Sequence, residues 1–225
     1  MAKAALITGG SSGIGLAIAR ALREDGYDLT LASRRAEKVE AAAAELGAAA
    51  VAGNVADEAQ CLRMVEEHRE RFGRLDVLVN SAGVGIAGQT GSIATKHLDL
   101  QLGVNLRALV LVTQASLPLL RESHGIVVNL ASIAGTMPTP GLAIYGATKA
   151  AVISYTRSFN AEVAGEGVRA TAICPGFVDT PMASWAGLPG EEMIQPEDCA
   201  EVVRLLLRLS PSARIPQVVI ERMGD

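Results

Sequence analysis

A doubly wound α/β fold is predicted, with one parallel sheet of about seven strands and helices on both faces. Three features of the 225-residue sequence carry this. Short β-branched or leucine-rich runs alternate with longer helical patterns along the whole chain. The runs are apolar on both faces, as strands are when helices cover both sides of a sheet. The first run leads through a glycine-rich turn directly into a helix.

Taken in order, the first strand is Ala4–Thr8, followed by a helical pattern over Ile14–Asp25 and a second strand at Asp28–Ala32. A helix over Ala36–Leu46 then ends at a Gly47 cap, where glycine adopts the left-handed conformation without strain. The alanine-rich stretch around it is thus a helix end and the next strand, Ala49–Gly53. The helix Glu58–Phe72, the strand Asp76–Asn80, the long helix Leu98–Arg121 and the strand Gly125–Ala131 continue the alternation. The helix Ala143–Ala164, the strand Arg169–Cys174, the helix Pro196–Leu209 and the strand Gln217–Ile220 complete it. No linker or repeat interrupts the series, so residues 1–225 read as one domain.

Composition narrows the function. Hydrophobic residues make up 49% and charged residues 20%, a globular balance, and the net charge of −4 offers no basic field for nucleic acid or an anionic membrane. Cys61, Cys174 and Cys199 have no CxxC pairing and suit buried thiols in a reducing compartment. His68, His97 and His124 have no metal-ligand spacing and are expected at solvated positions; no metal site is predicted. The opening apolar run is too short for a secretory signal, and no stretch reaches the ~18 to 20 apolar residues of a membrane span. A cytoplasmic protein is expected.

The loop "TGGSSGIG" joins the first strand to the first helix. Gly9, Gly13 and Gly15 allow a tight turn and close approach of a pyrophosphate to backbone N–H groups, with Ser11, Ser12 and Ile14 completing the cradle. The positive end of the helix faces the anion. No Lys-Ser/Thr follows, so the loop is not a P-loop. At the end of the second strand an NAD site usually carries an acid for the ribose 2′-hydroxyl. Here Ser33 stands there, followed by Arg34 and Arg35, whose guanidinium groups suit the 2′-phosphate of NADP. NADP(H) is the predicted cofactor, with NADPH preferred over NADH.

In "IYGATKAAVIS" Tyr145 and Lys149 lie at i and i+4 on one helix face. A free phenol has a pKa of about 10, and a neighbouring ammonium favours its ionised form. Ser132 ends the strand "GIVVNLAS" at the carboxyl edge of the sheet, where its hydroxyl suits a developing alkoxide.

These stretches, together with "NSAG" (80–83), Asn105 and "PGFVDT" (175–180), resemble the short-chain dehydrogenase/reductase family over nearly the whole chain. The resemblance implies a single Rossmann-type domain and hydride transfer between a nicotinamide and a carbonyl or alcohol. It implies Tyr145 as proton donor, Lys149 as its partner and ribose holder, Ser132 as oxygen anchor and Asn105 as holder of a relay water. It further implies cofactor contacts from Asn80, Ala82 and Gly83, from Asn54 and Val55 at the adenine edge, and from Pro175, Gly176, Val178 and Thr180. Ser81 and Asn54 depart from the family's usual Asn and Asp.

A short segment near 181–195 corresponds to the family's substrate lid and predicts an open, modestly selective cleft, with Met182, Trp185 and Leu188 as candidate walls. The helices 98–121 and 143–164 are expected to pair subunits into a homodimer or homotetramer. The predicted activity is NADPH-dependent reduction of a small-molecule ketone or aldehyde. The alternative is an NADP-binding regulatory sensor without turnover, which the glycine loop alone would serve.

Overall fold

The computed structural model describes residues 2–223, apart from the side chain of Trp185. Its strands are β1 (Ala4–Thr8), β2 (Asp28–Ser33), β3 (Ala49–Ala52), β4 (Val77–Asn80), β5 (Ile126–Leu130), β6 (Arg169–Pro175) and β7 (Gln217–Ile220). They hydrogen-bond in the order β3-β2-β1-β4-β5-β6-β7, every pair parallel. The helices are α1 (Gly13–Glu24), α2 (Ala36–Leu46), α3 (Glu58–Phe72), α4 (Thr95–Leu102), α5 (Ala108–Ser123), α6 (Ala143–Glu162) and α7 (Pro196–Arg208). This is the Rossmann-type doubly wound sheet that the alternation predicts.

Alternate residues of each strand feed two separate cores, as a period of two requires. Ile7, Leu31, Val79 and Val128 pack beneath α1, α2 and α7. Leu6, Leu78, Val127 and Ala170 pack beneath α3, α5 and α6. The order reverses between β1 and β4, and a ligand crevice is expected at the carboxyl ends of the strands at such a reversal. Gly47 caps α2 at a φ of 59°, in the left-handed region the sequence calls for.

Two expected helices change. The helix expected over Leu98–Arg121 begins at Thr95 and opens into a π turn over Gly103–Arg107 before α5 runs on to Ser123. The π turn is five residues long, too short a stretch for apolar periodicity to reveal. Pro118 lies inside α5, where the burial of Leu119 and Leu120 in one core offsets its missing donor. The helix expected to reach Ala164 stops at Glu162.

His68 is fully buried, not solvated. Cys61, Met64, Val65 and His68 form the inward stripe of α3, and the polar neighbours of His68 in sequence belong to the other face. Its Nε2 faces the Arg74 carbonyl at 2.9 Å, which only accepts, so Nε2 carries the proton and Nδ1 accepts from Thr30 Oγ1 at 2.8 Å. Burial holds its pKa down at about 4, against the opposing pull of the Arg74 carbonyl and Asp76. His97 is half-buried, and His124 is exposed as the left-handed cap of α5. All three cysteines are buried and free.

Candidate active site

The first wall of the crevice is the loop between β1 and α1. Gly9 and Gly13 have φ values of 70° and 52°, where a side chain would be strained. A Cβ on Gly9 would come within 2.8 Å of the Ala82 nitrogen, and one on Gly15 within 2.5 Å of the Gly9 carbonyl oxygen. These glycines therefore let the β1 and β4 loops lie against each other and hold a shallow backbone cradle. The helix beyond it opens with no acidic residue in its first turn and with Ser12 making no side-chain cap, so its positive end is left for an anion.

The second wall lies at the end of β2. Ser33 Oγ is buried without a hydrogen-bond partner, and Arg34 and Arg35 are exposed beside it, without an ion pair among the described residues. An orphaned hydroxyl next to two free cations fits a phosphorylated ribose. Asn54 is exposed, and its Oδ1 accepts from Ala56 N at 3.1 Å, so one of its lone pairs already braces its own turn. Val55 is buried behind it. Asn80 turns its side chain into the interior, donating to Thr113 and Asn129, which leaves only its backbone toward the crevice.

The floor is built by α6 and the turn after β5. A Cβ on Gly135 would meet the Lys149 backbone at 2.6 Å, and one on Gly146 the Ala134 carbonyl oxygen at 2.7 Å. Two glycines that the sequence reading passed over thus seat the Ser132 turn directly on α6. This contact brings the Ser132 hydroxyl near enough to the Tyr145 phenol to favour its ionised form. Ser132 Oγ also accepts from Ala134 N at 3.2 Å, which fixes its rotamer.

Lys149 is buried and donates from Nζ to the Leu130 carbonyl at 2.7 Å. Its ammonium sits over the Tyr145 ring, 5.6 Å from the centroid, and not at the phenol oxygen. Burial lowers the Lys149 pKa to about 8. Burial also raises the Tyr145 pKa, with the Ser132 hydroxyl acting in the opposite sense. In this state the phenol therefore holds its proton at neutral pH, as a proton donor must.

Asn105 lies in the π turn, and its side chain makes three hydrogen bonds to protein. Oδ1 accepts from Val84 N at 2.8 Å, while Nδ2 donates to the Val84 carbonyl at 2.9 Å and to Thr148 Oγ1 at 3.0 Å. Thr148 Oγ1 in turn donates to the Tyr145 carbonyl at 2.7 Å. Asn105 thus clamps the β4 loop to α6. A Cβ on Gly83 would lie 3.6 Å from both Asn105 Oδ1 and Lys149 Nζ, so the loop, the clamp and the lysine meet at one point.

Together these elements enclose a cleft of about 540 Å³, with Ser132, Tyr145 and Lys149 on its floor. Ile14, Gly83, Pro175, Gly176, Val178 and Thr180 line the end nearest the glycine cradle. Met182 and Ala183 also line it, from the segment that Val178 and Ile194 bridge. Leu188 is not among the lining residues, and the Trp185 side chain lies outside the described residues.

Known proteins resemble this chain in sequence and fold. Residues 3–187 match the family model for short chain dehydrogenases. An uncharacterized oxidoreductase of Staphylococcus epidermidis is 35% identical over 221 residues, 97% of this chain and 96% of that protein. An alcohol dehydrogenase from the archaeon Thermococcus sibiricus, solved with 5-hydroxy-NADP, superposes with a TM-score of 0.91 at 31% identity, covering 100% of this chain and 98% of that one. A 3-ketoacyl-(acyl-carrier-protein) reductase from Brucella melitensis, solved with NADH, gives 0.91 at 30% identity, covering 97% and 96%. Matched by the family model over residues 3–187 and by a relative over nearly its whole length, the chain belongs to the short-chain dehydrogenase family of oxidoreductases.

Proposed function

We propose that the protein reduces a ketone or aldehyde to an alcohol with NADPH. The observation that carries this is the convergence of the Ser132 hydroxyl, the protonated Tyr145 phenol and the buried Lys149 ammonium on one floor beside a glycine cradle. Gly9, Gly13 and Gly15 would hold the pyrophosphate, Ser33, Arg34 and Arg35 the 2′-phosphate, and Lys149 the nicotinamide ribose. NADPH bound there supplies the hydride. Ser132 orients the carbonyl oxygen by donating to it, and Tyr145 transfers its phenolic proton to the same oxygen as negative charge develops. The Lys149 ammonium over the ring stabilises the phenolate left behind. The relatives solved with 5-hydroxy-NADP and NADH support a nicotinamide cofactor, and the two arginines favour its phosphorylated form.

Titration of nicotinamide fluorescence tests this without knowledge of the substrate. NADPH is expected to bind at least about tenfold more tightly than NADH, and Arg34→Ala combined with Arg35→Ala to remove that difference, about 1.4 kcal/mol. Tighter binding of NADH would reject the phosphate assignment, and binding of neither would reject the reductase reading.

We further propose that α4, α5 and α6 pair two subunits. Leu100 and Leu102 are exposed, and the most apolar stretch of Thr95–Ser123 is only 44% buried. Light scattering is expected to give at least twice the 23.3 kDa of the chain, and a monomer would refute the pairing.

A further inference from the structure

The part of the cleft beyond the reacting groups is unlike its floor. Its walls are Met137, Pro138, Pro140, Leu142, Phe177 and Met182. Among the described residues that line the cleft, Lys149 is the only one that carries a charge. It is not free to anchor a substrate anion, because it is buried against the Tyr145 ring, donates to the Leu130 carbonyl and, on the proposed reading, turns its remaining donors to the nicotinamide ribose.

Neutral polar groups are equally scarce there. Ser81 Oγ faces Gly15, and the Thr180 methyl packs on Gly13, so both belong to the cradle end. Of the hydroxyl groups, this leaves Thr139, which already donates to the Met137 carbonyl at 3.4 Å. At the mouth, Met137 is 54% exposed, Met182 46% and Phe177 36%. Three large apolar side chains thus stand in water around one opening, and an apolar body entering it removes that surface from solvent. A carboxylate or phosphate drawn in beside the carbonyl would lose its hydration and meet no free cation and no side-chain donor beyond the Thr139 hydroxyl in return. A sugar would leave several hydroxyls in the same position.

We infer that the substrate is an uncharged carbonyl compound with an apolar body, and that oxo acids, phosphorylated carbonyls and sugars are excluded by the unpaired groups they would bury. The inference rests on the carbonyl-reductase reading and narrows it. The apolar rim also gives selectivity by polarity where the shortness of the lid gives little by shape.

The test is a matched pair, methyl 4-oxopentanoate and 4-oxopentanoate, which share one ketone and one carbon chain and differ in charge close to the carbonyl. With NADPH, kcat/KM for the ester is expected to exceed that for the anion by on the order of 100-fold. An anion within about threefold of the ester, or ahead of it, would overturn the inference. Saturation-transfer NMR on the protein loaded with NADP+ reads binding of the same pair apart from turnover. If neither ketone is reduced yet the ester alone binds, the substrate class stands and the reductase reading falls. If the two bind equally, or neither binds, the substrate class falls. Met137→Arg places a cation on an exposed rim position that the fold does not depend on. It is expected to raise kcat/KM for the anion about tenfold, and no gain would count against an unpaired charge as the cause.

Discussion

Tyr145→Phe is expected to lower kcat for carbonyl reduction on the order of 10³-fold, about 4 kcal/mol of transition-state stabilisation. The substitution removes one oxygen. The ring remains to pack beneath Gly85 and under the Lys149 ammonium, so the fold and the cradle are untouched. NADPH affinity is therefore expected to stay within about twofold of the parent, which separates a lost proton donor from a collapsed site. Steady-state kinetics and a fluorescence titration on the same preparation decide the matter. Residual activity above about a tenth would remove Tyr145 from the proton-donor role. The direction of its pKa adds a further expectation. Burial raises it, so the phenol is in its acid form at neutral pH, which suits reduction. Alcohol oxidation needs the phenolate and is expected to rise with pH over the range in which reduction falls.

The second large effect concerns stability. The folded state holds His68 at about 4, whereas the unfolded chain titrates near the ordinary value of 6.5. Between those values the unfolded state binds the extra proton, so stability is present above about pH 6.5 and is lost as pH falls toward 4. Urea denaturation is expected to lose about 2 kcal/mol between pH 7 and pH 5, a window that lies above the ordinary carboxylate range. In His68→Leu the slope over that window is expected to vanish, whatever the absolute stability of the variant. An unchanged slope would mean that His68 is not the titrating group.

The location of His68 illustrates where reading along the chain stops. Its spacing from Cys61, Met64 and Val65 marks the inward face of α3, but histidine is compatible with either face, and only the Thr30 hydroxyl and the Arg74 carbonyl make burial tolerable. Both partners come from other elements. Asn105 is a similar case. Its position marks it as part of the site, but the π turn that displaces it and the Val84 and Thr148 contacts that occupy its side chain have no signature in the apolar period.

The sequence by itself determined the alternation of strands and helices, the parallel sheet, the glycine cradle, the arginine pair and the Tyr145–Lys149 spacing. Each of these is local: it follows from side-chain periodicity, backbone freedom at glycine, or residues one helical turn apart. Tertiary structure alone decided that Gly135 and Gly146 seat the serine turn on α6, that Lys149 lies over the phenol ring, and that Met137, Phe177 and Met182 meet around one mouth. Those are contacts between segments far apart in the chain. Their geometry depends on how the sheet and helices pack, and no local pattern of residue types encodes it.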